Sequence, residues 1–220
     1  MRDITRPKRI PLHMKIKRAR HREIAMAQDV AVEAFYHVFP RGVLHGGTAI
    51  WRCYSGNRFS EDVDVYIQRD LKKIDAFFEA LKKRGFEVTK KRVKENALYS
   101  ALKFGGVEIG FEAIFKRAKG VLREYETYEG NLLSVYTLDP ETLIEEKVDA
   151  YLKRRRIRDL YDVFYLLRFV KKAEAVKPKL LKLLQNFKEP VDEKELKVLL
   201  LFGAIPDKKG MLEYIEGWAR

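Results

Sequence analysis

Gly46-Gly47-Thr48, followed fourteen residues later by Asp62-Val63-Asp64, joins two kinds of group that phosphate chemistry needs. A glycine-rich turn running from a strand into a helix leaves backbone N–H groups uncovered, where the helix dipole also favours an anion. Two aspartates on one strand share a face, roughly 7 Å apart, and offer hard oxygen donors to a divalent cation that also binds phosphate. Taken singly, the first motif reads as a plain turn and the second as a solvated strand face. Their order and separation point to a nucleoside triphosphate held beside a metal.

Two divalent ions require a further carboxylate, because two aspartates cannot balance four positive charges. Glu108 and Glu112 both sit at even positions of Val107-Glu-Ile-Gly-Phe-Glu-Ala-Ile114, hence on one face of the expected strand, and either can be the third ligand. Arg58 and Ser60 precede the aspartates and either brace the loop or contact the triphosphate. Further on, Lys147 lies on a helix, and Arg158-Asp159-Leu160-Tyr161-Asp162 opens the next. A lysine and an arginine facing a cleft there would neutralise a triphosphate; ordinary pairing on a helix surface is the equal alternative. His13, His21, His37 and His45 form no cluster, and only His45 adjoins the glycines.

The elements that must position these groups follow from hydrophobic period and punctuation. Ile24, Ala27, Val30, Ala31, Ala34, Phe35 and Val38 recur at helical steps from about Ala19, with Pro40 just past the end. A short strand through Val43 and Leu44 enters the glycines, and a short helix leaves them. Glu61 to Gln68 alternates as a strand. Asp70 caps a helix that Gly85 ends. Phe86 to Lys94 reads as a basic edge strand, Gly105-Gly106 turns a hairpin, and a second hairpin turns near Gly130. Asp139-Pro140 starts a helical stretch that continues to the end of the chain, with helices expected near 140–153, 158–171, 178–187, 192–202 and 208–218. The expected organisation is therefore a basic arm over 1–22, an α/β core over 23–138 and a helical domain over 139–220.

The 220 residues carry 45 Lys and Arg against 32 Asp and Glu, a net charge of +13 that suits a polyanionic partner. Basic stretches at 1–22, 82–94, 116–119 and 153–158 could form a track for RNA phosphates. A single cysteine, Cys53, excludes an internal disulfide, and with four scattered histidines no zinc site is expected. No apolar run approaches a membrane span and no apolar signal region opens the chain, so a cytoplasmic protein is expected.

The run Leu44-His-Gly-Gly-Thr-Ala-Ile50, then Arg58-Phe-Ser-Glu-Asp-Val-Asp64, Glu108-Ile109, Glu146-Lys147 and Arg158-Asp-Leu-Tyr-Asp162 resembles the AbiEii toxin family of nucleotidyltransferases. The resemblance covers roughly residues 20 to 170. It implies an α+β fold: a polymerase-β-like core with a mixed sheet, followed by a C-terminal helical domain. It also implies a toxin of a toxin–antitoxin or phage-defence pair, with an antitoxin protein as partner. By the same resemblance Asp62, Asp64 and Glu108 hold Mg²⁺, or Mn²⁺ in its place, with Glu108 preferred to Glu112. Gly46, Gly47, Thr48, Arg58, Ser60, Lys147, Arg158, Asp159 and Asp162 would surround an NTP. Thr48 stands where serine is common in the wider superfamily, and keeps the hydroxyl. The charge favours RNA, most plausibly tRNA, as the acceptor of the nucleotide. Transfer to a protein or a small molecule, and a catalytically silent module that binds nucleic acid or an antitoxin, are the alternatives.

Overall fold

The computed structural model describes residues 10–220. A seven-stranded mixed sheet forms its centre, in the order β3-β4-β5-β2-β1-β7-β6. In chain order, α1 (Leu12–Lys15) and α2 (Ala19–Val38) precede β1 (Val43–His45), α3 (Gly46–Cys53) and β2 (Val63–Ile67). Next come α4 (Leu71–Lys83), β3 (Glu87–Val93), β4 (Ala97–Phe104), β5 (Val107–Phe115), β6 (Val121–Glu126) and β7 (Leu132–Thr137). The helical half comprises α5 (Pro140–Arg154), α6 (Ile157–Leu166), α7 (Ala173–Gln185), α8 (Leu196–Leu199) and α9 (Lys208–Ala219).

Local signals set most of these boundaries. Asp70 and Asp139 accept hydrogen bonds from the N–H groups of Lys73 and Thr142, capping α4 and α5 as expected. Gly105 adopts a φ of +56° between β4 and β5, a conformation that glycine reaches without strain. α7 starts at Ala173, five residues before its expected start, and carries Pro178 inside it, because buried Val176 outweighs the hydrogen bond that proline forfeits. The helix expected over 192–202 shrinks to a 3-10 turn and α8.

The expected arm over 1–22 is only partly an arm. Residues 1–9 lie outside the described residues, but Leu12 and Ile16 are buried in the main core, and His13 donates its backbone N–H to the Tyr128 carbonyl. Apolar residues spaced by one helical turn thus override the basic composition around them.

Two apolar clusters result. The first packs Phe35 of α2 and Phe77 of α4 against Phe111 of β5, with ring centroids 5.7 and 4.7 Å from that of Phe111. The second gathers α5, α6, α7 and α9 around Val43, Tyr66 and Leu138. α3 belongs to both: Ala49 and Trp51 enter the first, Ile50 and Tyr54 the second. Among the described residues no helix is long and apolar enough to cross a membrane.

Candidate active site

The site is built where β1 ends and β2 begins, since these two strands run antiparallel and place His45 directly across from Asp64. Gly46 turns the chain with a φ of +70°, and a β-carbon there would collide with the Asp64 carboxylate. A β-carbon on Gly47 would likewise run into the Ser60 hydroxyl and the Arg58 guanidinium. These two glycines therefore let the α3 N-terminus sit against the acidic strand. No side chain caps that end of α3, so its first N–H groups face the site.

Thr48 has a different position from the expected one. It is fully buried, and its hydroxyl donates to the Asp62 carbonyl at 2.5 Å, so it fixes the acidic loop and does not project toward a ligand. Buried Gln28 of α2 donates to the carbonyls of Ser60 and Glu61, at 2.9 and 2.8 Å. The C-terminal region closes the other side: Phe59 donates to Leu199, Leu201 donates to Asn57, and Arg58 bridges Leu200. The loop before Asp62 is thus held from three directions before any ligand arrives.

Parallel pairing of β2 with β5 sets which glutamate lies beside the two aspartates. Asp64 lies opposite Glu112, and Val63 opposite Phe111, which puts Asp62 beside Gly110. A β-carbon on Gly110 would come within 2.5 Å of Asp62 Oδ1. Glu108, preferred on the resemblance, sits four residues earlier, about 13 Å along the strand, where it accepts a hydrogen bond from Thr89. Burial raises the pKa of both Asp64 and Glu112, and repulsion from Asp62 adds to each, outweighing the nearby positive charge of His45. Burial is the larger cause for both, and on Asp64 His45, Lys147 and Arg154 all act against the shift. Among the described residues no group of three or more His, Cys, Asp or Glu side chains is placed to hold a metal ion. The carboxylates beside Asp64 offer hard oxygen donors, the type that divalent cations take.

The cations of the helical half are more committed than their sequence positions suggest. Arg58 donates two bonds to Asp162, each 2.8 Å, with both side chains buried. Lys147 lies 2.7 Å from Asp162 and 3.6 Å from Asp159, and Arg154 forms a paired contact with Asp159 at 2.7 and 2.8 Å. Burial alone would raise the Asp162 pKa, but Arg58 and Lys147 together hold it below the usual range. Asp159 and Asp162, buried completely, serve to position these cations and do not reach the cleft. Three cations here face two carboxylates. The surplus falls on Arg154, whose side chain is 45% exposed and whose charge acts on Asp64. Arg154 was hidden in the run Lys153-Arg154-Arg155-Arg156, yet its place seven residues after Lys147 puts both on one face of α5. Arg158 is half-buried and makes no ion pair among the described residues.

His45 closes the site toward α5. Its ring stacks on Tyr66 at 3.8 Å, and its Nδ1 lies 3.4 Å from Glu146, to which Tyr66 donates a 2.5 Å hydrogen bond. Although burial works the other way, bonds from His45 and Tyr66 hold the Glu146 pKa low.

A mixed sheet, a glycine-gated helix N-terminus and a carboxylate row on adjacent strands together define a nucleotidyltransferase. The chain belongs to the AbiEii family, described as "Nucleotidyl transferase AbiEii toxin, Type IV TA system", which it matches over residues 31–213. That match extends well beyond residue 170 and takes in the segment clamping the Arg58 loop. Two solved structures share the fold. MenT4, a nucleotidyltransferase toxin from Mycobacterium tuberculosis, superposes with a TM-score of 0.62 at 17% identity, covering 92% of this chain and 84% of its own. JHP933 from Helicobacter pylori gives 0.61 at 18% identity, covering 90% of each chain. No match emerges among curated proteins.

Proposed function

We propose that this enzyme transfers a nucleoside monophosphate from an NTP to a hydroxyl group of RNA, with tRNA the favoured acceptor, as the toxin of a pair with a cognate antitoxin. The observation carrying this reading is the cross-strand pair Asp64 and Glu112 with Asp62 beside it, set directly against the uncapped N-terminus of α3. Gly46 and Gly47 leave room for the triphosphate at that terminus. Arg154, exposed but held by Asp159, supplies the positive charge that meets it, while Arg58 and Lys147 hold α5 and α6 in place through Asp162. Asp62, Asp64 and Glu112 would hold divalent Mg²⁺ or Mn²⁺, which when bound polarises the phosphate and lowers the pKa of the acceptor hydroxyl.

The acceptor oxygen forms a bond to the α-phosphorus, the bond from that phosphorus to the bridging oxygen breaks, and pyrophosphate departs. The hydroxyl proton passes to Glu112, an exposed carboxylate of the row. RNA is favoured over a small cationic acceptor by the +13 net charge.

The test is incubation with each radiolabelled NTP, Mg²⁺ and total RNA, followed by electrophoresis. Label should enter a discrete RNA band with wild-type protein and be lost with Asp62→Ala or Asp64→Ala. Equal labelling by these folded variants would sink the mechanism, and label on protein alone would redirect the acceptor.

A further inference from the structure

The carboxylate row does not stop at Glu112. Strand pairing continues it through Tyr99 of β4 to Arg92 of β3, so that His45, Asp64, Glu112, Tyr99 and Arg92 form one line across five strands. One step along, Gly110 lies opposite Ala101, and Ala101 opposite Lys90. All these side chains occupy the face opposite Phe111, and it is the Phe111 face that α2 and α4 cover. The face thus has the Asp62 carboxylate over Gly110, the small Ala101, a half-buried aromatic ring, and exposed cations at its outer edge. Lys94 stands over the Tyr99 ring, its nitrogen 5.2 Å from the centroid. Among the described residues neither Lys90 nor Arg92 makes an ion pair with a carboxylate.

From this geometry we propose that the β5-β4-β3 face is the platform for the single-stranded end of the acceptor RNA, with a base stacked on Tyr99 and phosphates on Lys90, Arg92 and Lys94. Strand spacing puts Tyr99 about 10 Å from Asp64 and Arg92 about 14 Å away, within reach of the nucleotides that precede a reacting terminal hydroxyl. A base stacks on a flat ring, here by taking the place of the exposed Lys94 ammonium over Tyr99, with small Ala101 beside it; the edge cations supply the charge that holds a backbone. A duplex has its bases stacked internally and cannot use the ring, so the platform selects single strands. The proposal rests on RNA being the acceptor.

Full-length protein is titrated against a short fluorescent single-stranded RNA and, separately, a fluorescent NTP, with label transfer measured on the same preparations. Tyr99→Ala should weaken RNA binding roughly 5- to 150-fold, Tyr99→Phe should restore it, and NTP affinity should hold. Combined Lys90→Ala and Arg92→Ala should reduce the salt dependence of RNA binding by about 1.4 in log–log slope. RNA affinity unaltered by Tyr99→Ala overturns the platform, even if wild-type protein labels RNA and the transfer mechanism stands. Duplex binding as tight as single-strand binding also overturns it. Tyr99-dependent RNA binding without any label transfer upholds the platform and removes the proposed reaction instead.

Discussion

Asp64 of β2 and Glu112 of β5 face each other across a parallel strand pair. That register, and not proximity in sequence, places a third carboxylate beside Asp62 and Asp64. The corresponding prediction separates two glutamates on the same strand. Glu112→Gln should lower label transfer by more than the roughly 10- to 100-fold typical of partners outside a metal's immediate shell. Glu108→Gln, which loses only an exposed contact with Thr89, should stay within about twofold of wild type when assayed alongside.

Gly110 gives a cleaner probe of the same geometry. An added methyl must push the Asp62 carboxylate aside, and because Asp62 is exposed it can swing away at little cost to folding. Gly110→Ala should therefore keep its melting temperature within a few degrees while transfer drops on the order of 100-fold, the scale of an ångström-level misplacement. Normal activity in a folded Gly110→Ala protein would show that Asp62 is not held in a working position.

Burial, with repulsion between the carboxylates adding to it, disfavours the ionised forms of Asp64 and Glu112, and a bound divalent ion would favour them. Thermal unfolding with and without Mg²⁺ should show stabilisation in wild-type protein, on the order of 3 kcal/mol at a hundredfold excess over Kd. Asp64→Asn should abolish most of the stabilisation. An equal rise in both proteins would place the ion elsewhere.

Asp162 is predicted to govern stability through Arg58 and Lys147. Asp162→Asn strands two buried cations, at a cost of about 3–5 kcal/mol near neutral pH, or roughly 10 °C in Tm. Because the folded-state pKa is depressed, the ionised group favours folding above the unfolded value of about 3.9 and loses that contribution as pH falls through the lower folded value. Denaturation curves of the two proteins should therefore be far apart at pH 7 and approach one another below about pH 4. A gap that stays constant across this range would mean that charge pairing is not its source.

Thr48 tests whether the turn acts through its hydroxyl or through its backbone. Thr48→Val removes the bond to the Asp62 carbonyl and should destabilise the protein by about 1–3 kcal/mol with reduced transfer. Thr48→Ser keeps the donor and should stay close to wild type in both melting and labelling assays.

Local chemistry made much of this protein legible in its sequence. The period of two between Asp62 and Asp64, the Asp70 and Asp139 caps, the Gly46 turn and the hairpin at Gly105 each depend on residues a few positions apart, so their order along the chain suffices to read them. The family resemblance added the class of reaction. What the sequence left open depended on contacts between distant segments. Alternation puts Glu108 and Glu112 on the same face equally well, and only the pairing of β2 with β5 chooses between them. Arg58 meets Asp162 across 104 positions, and the strand row that carries Tyr99 and Arg92 out from the carboxylates exists only after β3, β4 and β5 align. Backbone period fixes which way a side chain points; register and packing, which join segments far apart in the chain, decide what it meets.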